Sequence, residues 1–567
     1  MPNIYPDIDS FKDATLSYLL NERELIKQDI EEHKALSPEE REEMGLIIRN
    51  AMLIEANEHS VKYSTLVNNT KLRPGDDVWL REPGSNRRLA ARVNENGIEE
   101  LDLYYPSNLT PPKVVDIEID EVNLLDGIIE LVSSYRAGSP GLRYLSALSG
   151  IREPKEIGLG AIKNIEDGDI PSSFNESQKD AVMMSIKRPG IAYIQGIPGS
   201  GKTQLLSVVA KIYTKNVKDV VVMALTHQAV NNALNKIASL DSSIPIYKIG
   251  KPFKNIGLSN KVIQAESFNE YLDAIRRLDS SKGRVVGMTF HAALTNLGRR
   301  NTFFTPQVIL FDEAGQMPLT HAAAIGTFNC GSIIFIGDDI QMPPIYHGKL
   351  IHDDLSISIF ERIKELYPDR GEVLNVTYRM NTDLANFISE RFYKPQNITF
   401  ESSKVSKGNT VISSKEPWLK IHETSIFIKQ CICTGATDEN EIEAEEAVIQ
   451  VENYLKHGLS VDRMAVITPY RRQVRLIHKK MIDKFGHDVT LPLVDTVERL
   501  QGQDVDVIIV SFCVDDVKFF TLQQSFILQL NRLNVMFSRA TSRVIILASS
   551  QVIDMLGLDC YKGEERN

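Results

Sequence analysis

From Pro171 onward the chain alternates between two patterns. Short apolar runs, "GIAYIQ", "DVVVMAL", "RVVGMTF", "QVILFDEA" and "SIIFIGDD", are separated by stretches such as "KTQLLSVVAKIYTK" and "QAVNNALNKIASL", whose apolar positions recur at helical spacing. Strands covered by helices on both faces read as unbroken apolar runs, so the pattern predicts a parallel, doubly wound sheet. It weakens at "ELYPDRGE", residues 365–372, and resumes with "MAVITPY", "DVIIVSF" and "RVIILASS". Two α/β lobes are expected, at 171–367 and 368–567.

The first 170 residues read differently. Residues 1 to about 65 read as helical, and "ALSPEEREEMGLII" holds a helix start: Ser37 as N-cap, Pro38 at the first helical position and Glu40 closing a capping box. From Leu72, "LRPGDDVWLREPGSNRRLAARVNENGIEELDLYY" consists of short strand-like runs broken by Pro-Gly, Gly-Ser and Asn-Gly. A small β-barrel at about 72–119 is expected. "VNLLDGIIELVSSYRAG" then returns to helix, so 1–170 reads as a helical stalk carrying a barrel.

Composition narrows the class. A chain of 567 residues, 43% hydrophobic and 25% charged, holds several ordinary globular cores. No apolar run approaches the roughly 20 residues of a membrane span, and the N-terminus has no basic, apolar leader pattern. Five cysteines make no disulfide framework, and Cys431 and Cys433 read as two same-face residues of a strand rather than a metal site. A cytoplasmic setting without membrane contact is expected. The net charge of −11 argues against coating nucleic acid by bulk electrostatics but allows a local basic groove.

"GIPGSGKT", Gly196–Thr203, follows an apolar strand and opens a helix, the context a phosphate-binding loop requires. Glycines there let backbone N–H groups face phosphate oxygens, and the helix N-terminus favours the negative charge. Gly196, Pro198, Gly199, Ser200, Gly201 and Gln204 line this stretch. Lys202 is placed to reach the β- and γ-phosphates and Thr203 to hold Mg²⁺. Asp312 and Glu313 close another apolar strand, where an adjacent acidic pair gains little structurally. Asp312 suits Mg²⁺, and Glu313 suits a general base for the attacking water. Gln178 offers a donor and an acceptor to an adenine edge, Gln341 a γ-phosphate sensor, Tyr378 a stacking face, and Arg379 and Arg539 cations for the γ-phosphate. Taken singly, Tyr378 reads equally well as core and each arginine as a surface ion pair.

In order and spacing these motifs resemble the superfamily 1 helicases, and within them the 1B branch that includes the up-frameshift, senataxin and immunoglobulin-μ-binding helicases. The resemblance runs from about Phe174 to Ser550. It implies two tandem RecA-like P-loop lobes, ATP and Mg²⁺ as cofactors, and single-stranded DNA or RNA as partner, tracked 5′ to 3′. It also implies that Gly502 touches the nucleotide and that Asp504, where the family usually has Glu, approaches the ribose. Thr377 stands where Gln is usual, Asn381 where His is usual, and Gly315 where Ala or Ser is common.

Strand contacts are expected from Thr226, Thr289, Thr468 and Thr496, since hydroxyls bind phosphates without reading sequence. A threonine at a strand end serves structure as readily. Arg87, Arg88 and Arg92 form a basic cluster in the barrel, and Arg299, Arg300 and "RRQVRLIHKK" add others. Two functions are open: a translocating helicase, or a regulatory ATPase of a larger assembly whose N-terminal region docks protein partners. A fused nuclease finds little support, because the acidic "VDIEID" is not followed by E-x-K.

Overall fold

A computed structural model describes the chain except residues 1–4, 59, 67, 71, 73–75, 86, 98, 106–109, 120–124, 155–164, 189, 251–256, 277–282, 298–304, 347–352, 404–424, 487–488, 498–503 and 558–567. It divides into two compact units. The first comprises 1–195, 203–337 and 344–372; the second comprises 196–202, 338–343 and 373–567.

The first unit opens with a 28-residue helix, Ile8–Ala35, capped by Asp7. Its buried Phe11, Thr15, Tyr18, Leu19 and Glu22 fall on one face at helical spacing. The expected capping box at Ser37 is present: Glu40 N donates to Ser37 Oγ at 3.2 Å, and Ser37 N to Glu40 Oε2 at 2.8 Å. That helix, however, ends at Glu43. Gly45 follows at φ +73, and a Cβ there would lie 2.4 Å from Asn69 O, so only glycine makes the turn.

What comes next corrects the sequence reading. A closed antiparallel barrel runs in the order β1-β2-β5-β4-β3-β6. Its strands are β1 (Ile47–Ala56), β2 (Ser60–Ser64), β3 (Asp77–Arg81), β4 (Arg88–Asn96), β5 (Glu100–Tyr104) and β6 (Val114–Ile119). The barrel therefore begins at Ile47, not near 72, and two of its strands occupy a stretch that reads as helical. A bulge explains the error at β1. The β1–β6 register shifts between Ile48 and Ala51, with Asn50 at φ +49, so the period-two alternation is broken inside β1. Val61, Tyr63, Val78, Leu80, Val93, Leu101, Leu103, Val115 and Ile117 fill the interior.

The helices are not a free stalk. Phe11, Tyr18, Leu19, Ile128, Tyr144 and Leu145 share one core with the parallel sheet. Arg362, 1% exposed, donates from Nε to Leu148 O at 2.9 Å, and Tyr367 OH donates to Ala147 O at 2.7 Å.

That sheet contains β7 (Gly190–Gly196), β8 (Val220–Ala224), β9 (Ile246–Ile249), β10 (Ile263–Ala265), β11 (Val285–Thr289), β12 (Val308–Phe311), β13 (Ser332–Gly337) and β14 (Gly371–Leu374), in the order β10-β9-β11-β8-β12-β13-β7-β14. The pairings from β10 through β7 are parallel. Its central strands are buried along their whole length, as unbroken apolar runs require.

The second unit carries the two-residue pair β15 (Val376–Thr377) and β16 (Glu401–Ser402). Its main sheet holds β17 (Ile426–Gln430), β18 (Met464–Ile467), β19 (Leu493–Asp495), β20 (Val505–Ser511) and β21 (Ala540–Ala548), all parallel, in the order β17-β21-β20-β18-β19. Its core includes Met380, Leu384, Ile388, Ile467, Ile508, Val510, Phe537 and Ile546. Cys431 and Cys433 lie beyond the end of β17 rather than on one face of it. Among the described residues no helix is long and apolar enough to cross a membrane.

Candidate nucleotide and nucleic-acid site

In the first unit Asp312, Glu313, Thr226 and Thr289 stand at the carboxyl ends of the parallel strands. Ile194 pairs with Ile336, Gln195 with Gly337, and Phe311 with Phe335, so β7, β13 and β12 end nearly level. Such an edge is where open α/β sheets hold ligands. Asp312 follows β12 directly, 6% exposed, with its N donating to Met223 O at 2.8 Å. Glu313 adopts φ +56, ψ +37, a left-handed conformation unusual outside glycine. Its N donates to Asp312 Oδ1 at 3.0 Å, and its Oε2 accepts from Gln316 at 3.4 Å. Gly337 accommodates this turn: a Cβ there would lie 2.8 Å from Gly315 N, and at position 315 too the chain carries no side chain.

Gln178 is 4% exposed and closes a second capping box. Asn175 N donates to its Oε1 at 3.1 Å, and its own N donates to Asn175 Oδ1 at 2.9 Å. The cap engages the acceptor expected to read an adenine edge. Asn-x-x-Gln before an apolar helix was a legible signal for it.

Gly196–Lys202 belongs to the second unit. Gly199 at φ +74 and Gly201 at φ +84 turn the loop, and the helix Lys202–Lys215 starts at its end. Lys202 Nζ donates to Gly196 O at 2.6 Å and to Ile197 O at 3.4 Å. A Cβ on Gly196 would lie 2.3 Å from Lys202 Cγ, and one on Gly199 2.4 Å from Arg379 Cβ. A glycine-lined loop with a lysine folded along it, opening a helix, fits the phosphates of a nucleotide. Thr203 and Gln204 continue into the helix.

Tyr378 is 39% exposed, open enough for a base to stack, and its N donates to Gly199 O at 2.9 Å. Arg379 Nη2 lies 2.7 Å from Asp504 Oδ1, and Arg539 Nη1 lies 3.9 Å from the same oxygen. Arg379 Nη1 also donates to Ser538 O at 3.0 Å. Burial pulls the Arg379 guanidinium down to about 10, against the opposing charge of Asp504. The structure thus joins both expected γ-phosphate cations through Asp504, which the family pattern sends to the ribose. Asn381, in the family's His position, caps the helix Thr382–Ile388 and donates to Ser542 O at 2.8 Å. Thr377 is buried and accepts from Arg379 N at 3.3 Å. Gly502, Arg299 and Arg300 lie outside the described residues.

The four threonines stand at the carboxyl ends of neighbouring strands, two in each unit. Thr289 ends β11 opposite Ala224 of β8, and Thr226 lies two residues beyond Ala224. Thr468 follows Ile467 of β18, whose partner Asp495 of β19 precedes Thr496. Thr226 is exposed and Thr496 half-buried, whereas Thr289 is 3% and Thr468 0% exposed. Thr226 caps a helix, and Thr289 Oγ1 accepts from Ala292 N at 3.2 Å.

On the barrel, Arg88 pairs with the buried Glu118 at 3.0 Å, and Arg81 meets the same carboxylate at 3.2 Å. Arg92 pairs with Asp77. Arg87 is exposed, its N donating to Ser85 Oγ.

Sequence reasoning passed over Asp338, Tyr393, Asn534 and Glu443, all buried polar residues of the second unit. The first and third lie within stretches read for Gln341 and Arg539 alone.

Two family models, each described as an AAA domain, match residues 173–357 and 355–551. The chain is 26% identical over 411 residues to the DNA replication ATP-dependent helicase/nuclease dna2 of Schizosaccharomyces pombe, covering 68% of this chain and 28% of that protein. It is 27% identical over 427 residues to Regulator of nonsense transcripts 1 of Dictyostelium discoideum, covering 67% and 31%. It is 24% identical over 443 residues to the DNA polymerase alpha-associated DNA helicase A of S. pombe, covering 67% and 64%. The chain thus spans only 26% to 29% of the length of the DNA2 and JHS1 replication helicase/nucleases of two yeasts and Arabidopsis thaliana that it matches. Tandem parallel sheets carrying the ordered motifs, two adjoining AAA-domain models and these relatives make the chain similar to the superfamily 1 helicases, in keeping with their 1B branch.

Proposed function

We propose that the chain is an ATP-driven translocase or helicase that moves 5′ to 3′ on single-stranded DNA or RNA. The observation that supports it most is the level carboxyl edge of β7 and β12, from which the Lys202 loop and the Asp312–Glu313 pair both depart. Loop N–H groups and Lys202 bind the β- and γ-phosphates; Gln178 and Tyr378 hold the base; Asp504 approaches the ribose, and Gly502 belongs to the stretch that touches the nucleotide. Thr203 and Asp312 would hold Mg²⁺, which would supply charge neutralisation on the phosphates when bound. Glu313 takes the proton of the attacking water. Arg379 and Arg539, now paired with Asp504, turn to the γ-phosphate, and Gln341 senses it. Thr226, Thr289, Thr468 and Thr496 mark strand-binding edges in both units, so that ATP-dependent motion between two grips moves the strand.

The ion pairs of Arg88 and Arg92 favour a second role for the barrel, docking a protein partner rather than clamping the strand. The test is ATPase rate with single-stranded DNA, single-stranded RNA and neither, followed by displacement of a duplex bearing a 5′ or a 3′ overhang. Stimulation by a strand with displacement only from the 5′ overhang is expected. Stimulation without displacement supports the regulatory ATPase, and turnover indifferent to both strands refutes the reading.

A further inference from the structure

The residues that follow β13, Asp338–Pro343, belong to the second unit. Asp338 is 4% exposed. Its Oδ2 accepts from Tyr393 OH at 2.6 Å and from Gln341 Nε2 at 2.7 Å, and its Oδ1 accepts from Ile340 N at 3.2 Å. A carboxylate only accepts, so the amide nitrogen of Gln341 must be the end that faces it. Tyr393, fully buried, accepts in turn from Asn534 Nδ2 at 3.0 Å, and the same nitrogen donates to Ile340 O at 2.9 Å. Asn531 Nδ2 donates to Asp339 O at 3.0 Å and to Gln341 O at 2.5 Å. Asn531 and Asn534 lie on the helix Leu530–Ser538, which ends at Arg539.

The loop that carries Gln341 is therefore tied by side chains to the helix that carries Arg539. Hydrophobic packing alone calls for no such acid, since a buried carboxylate is costly unless several donors meet it. A second observation is local. Tyr393 closes a π-helical turn, Ser389–Tyr393, and such turns recur at functional sites because they re-aim a side chain without ending the helix.

We propose that Asp338, Tyr393 and Asn534 are positioning residues that join Gln341 to the Arg539 helix, so that the γ-phosphate sensor and the arginine engage together. The inference rests on the ATPase reading above. With one amide hydrogen held by Asp338, Gln341 keeps its other N–H for a phosphate oxygen and its Oε1 for the attacking water. Nucleotide binding is left to the loop, so the relay affects turnover rather than affinity.

Tyr393→Phe removes only the hydroxyl. With a saturating single strand, kcat for ATP should fall about tenfold while KM changes less than about twofold. In an Arg539→Ala background the same substitution should cost almost nothing further, because both act through one element. Should Tyr393→Phe fail to fold, the isosteric Asp338→Asn carries the same two measurements. Multiplying losses in the double variant, or a raised KM at unchanged kcat, overturns the relay. Wild-type turnover with an unaltered kcat in Tyr393→Phe overturns the relay alone, whereas absence of turnover in the wild type overturns the ATPase reading itself.

Discussion

The two parallel sheets share an architecture, but their candidate groups are distributed differently between the edges. In the first, the acidic pair expected to act on ATP and the threonines expected to grip a strand follow the carboxyl ends of strands: Asp312 and Glu313 after β12, Thr226 after β8 and Thr289 at the end of β11. In the second, Thr468 and Thr496 keep the carboxyl edge, but Asp504 and Arg539 immediately precede β20 and β21 at the amino edge, where Val505 pairs with Ala540. At its own carboxyl edge the second sheet takes an internal acid. Glu443, fully buried, accepts from Ser511 Oγ at 2.7 Å and from Cys513 N at 2.8 Å, and Cys513 adopts φ +56. The first sheet is followed at β7 by a glycine loop, whereas the second turns a backbone N–H, that of Cys513, inward to a glutamate. One strand pattern thus accommodates candidate groups at either edge, and the flanking residues decide which.

The largest test of that contrast is at the amino edge. Arg539→Ala and Arg379→Ala should each lower ATP turnover by about 10³- to 10⁵-fold, measured with a saturating single strand, with little change in melting temperature. Retained turnover in both would make the Asp504 cluster an ion-pair network only. At the carboxyl edge of the first sheet, Glu313→Gln should lower turnover by about 10²- to 10⁴-fold yet leave ATP binding intact, while Lys202→Ala should weaken binding itself. Equilibrium binding of a fluorescent nucleotide separates the two.

Glu443 gives a pH test of the second sheet. Burial raises its carboxyl from 4.5 to about 8, with Asp515 adding to the rise and the bonds from Cys513 and Ser511 opposing it. The folded state therefore holds the proton more tightly than the unfolded chain. The resulting stabilisation is complete below about pH 4.5 and is lost as pH rises through 8. Denaturant midpoints of the wild type should fall between pH 5 and 9 relative to Glu443→Gln, whose profile should be flatter. Parallel profiles would mean the carboxyl is not held neutral.

The smallest effect is expected at the barrel. Arg88 and Arg92 already face Glu118 and Asp77, so replacing Arg87, Arg88 and Arg92 together by Gln should flatten the salt dependence of strand binding by no more than about 0.7, one phosphate's worth. A change near two units would restore the barrel as a strand clamp.

The lobe strands were readable because parallel strands buried on both faces need unbroken apolar residues, which the sequence displays without regard to partners. The start at Ser37 was readable because a capping box is local. The first barrel strand was not, because the bulge at Asn50 interrupts the alternation that identifies a strand, and β2 alternates over only five residues. Nor was the fusion of the N-terminal helices to the first sheet, since an apolar helical stripe does not name what it covers.

The same division holds at the site. Glycines at 196, 199 and 201, the lysine after them and an acidic pair after an apolar strand are determined by sequence alone, because each motif is contiguous and its chemistry follows from spacing. That Gln178 spends its acceptor on a cap, that Asp504 holds both arginines, and that Asp338 reaches Tyr393 and Asn534 was decided only by the tertiary structure. Asp338 stands 55 residues from Tyr393, and Asn534 another 141 beyond it, so no local pattern links them. A buried polar group must find its partner wherever the chain brings one.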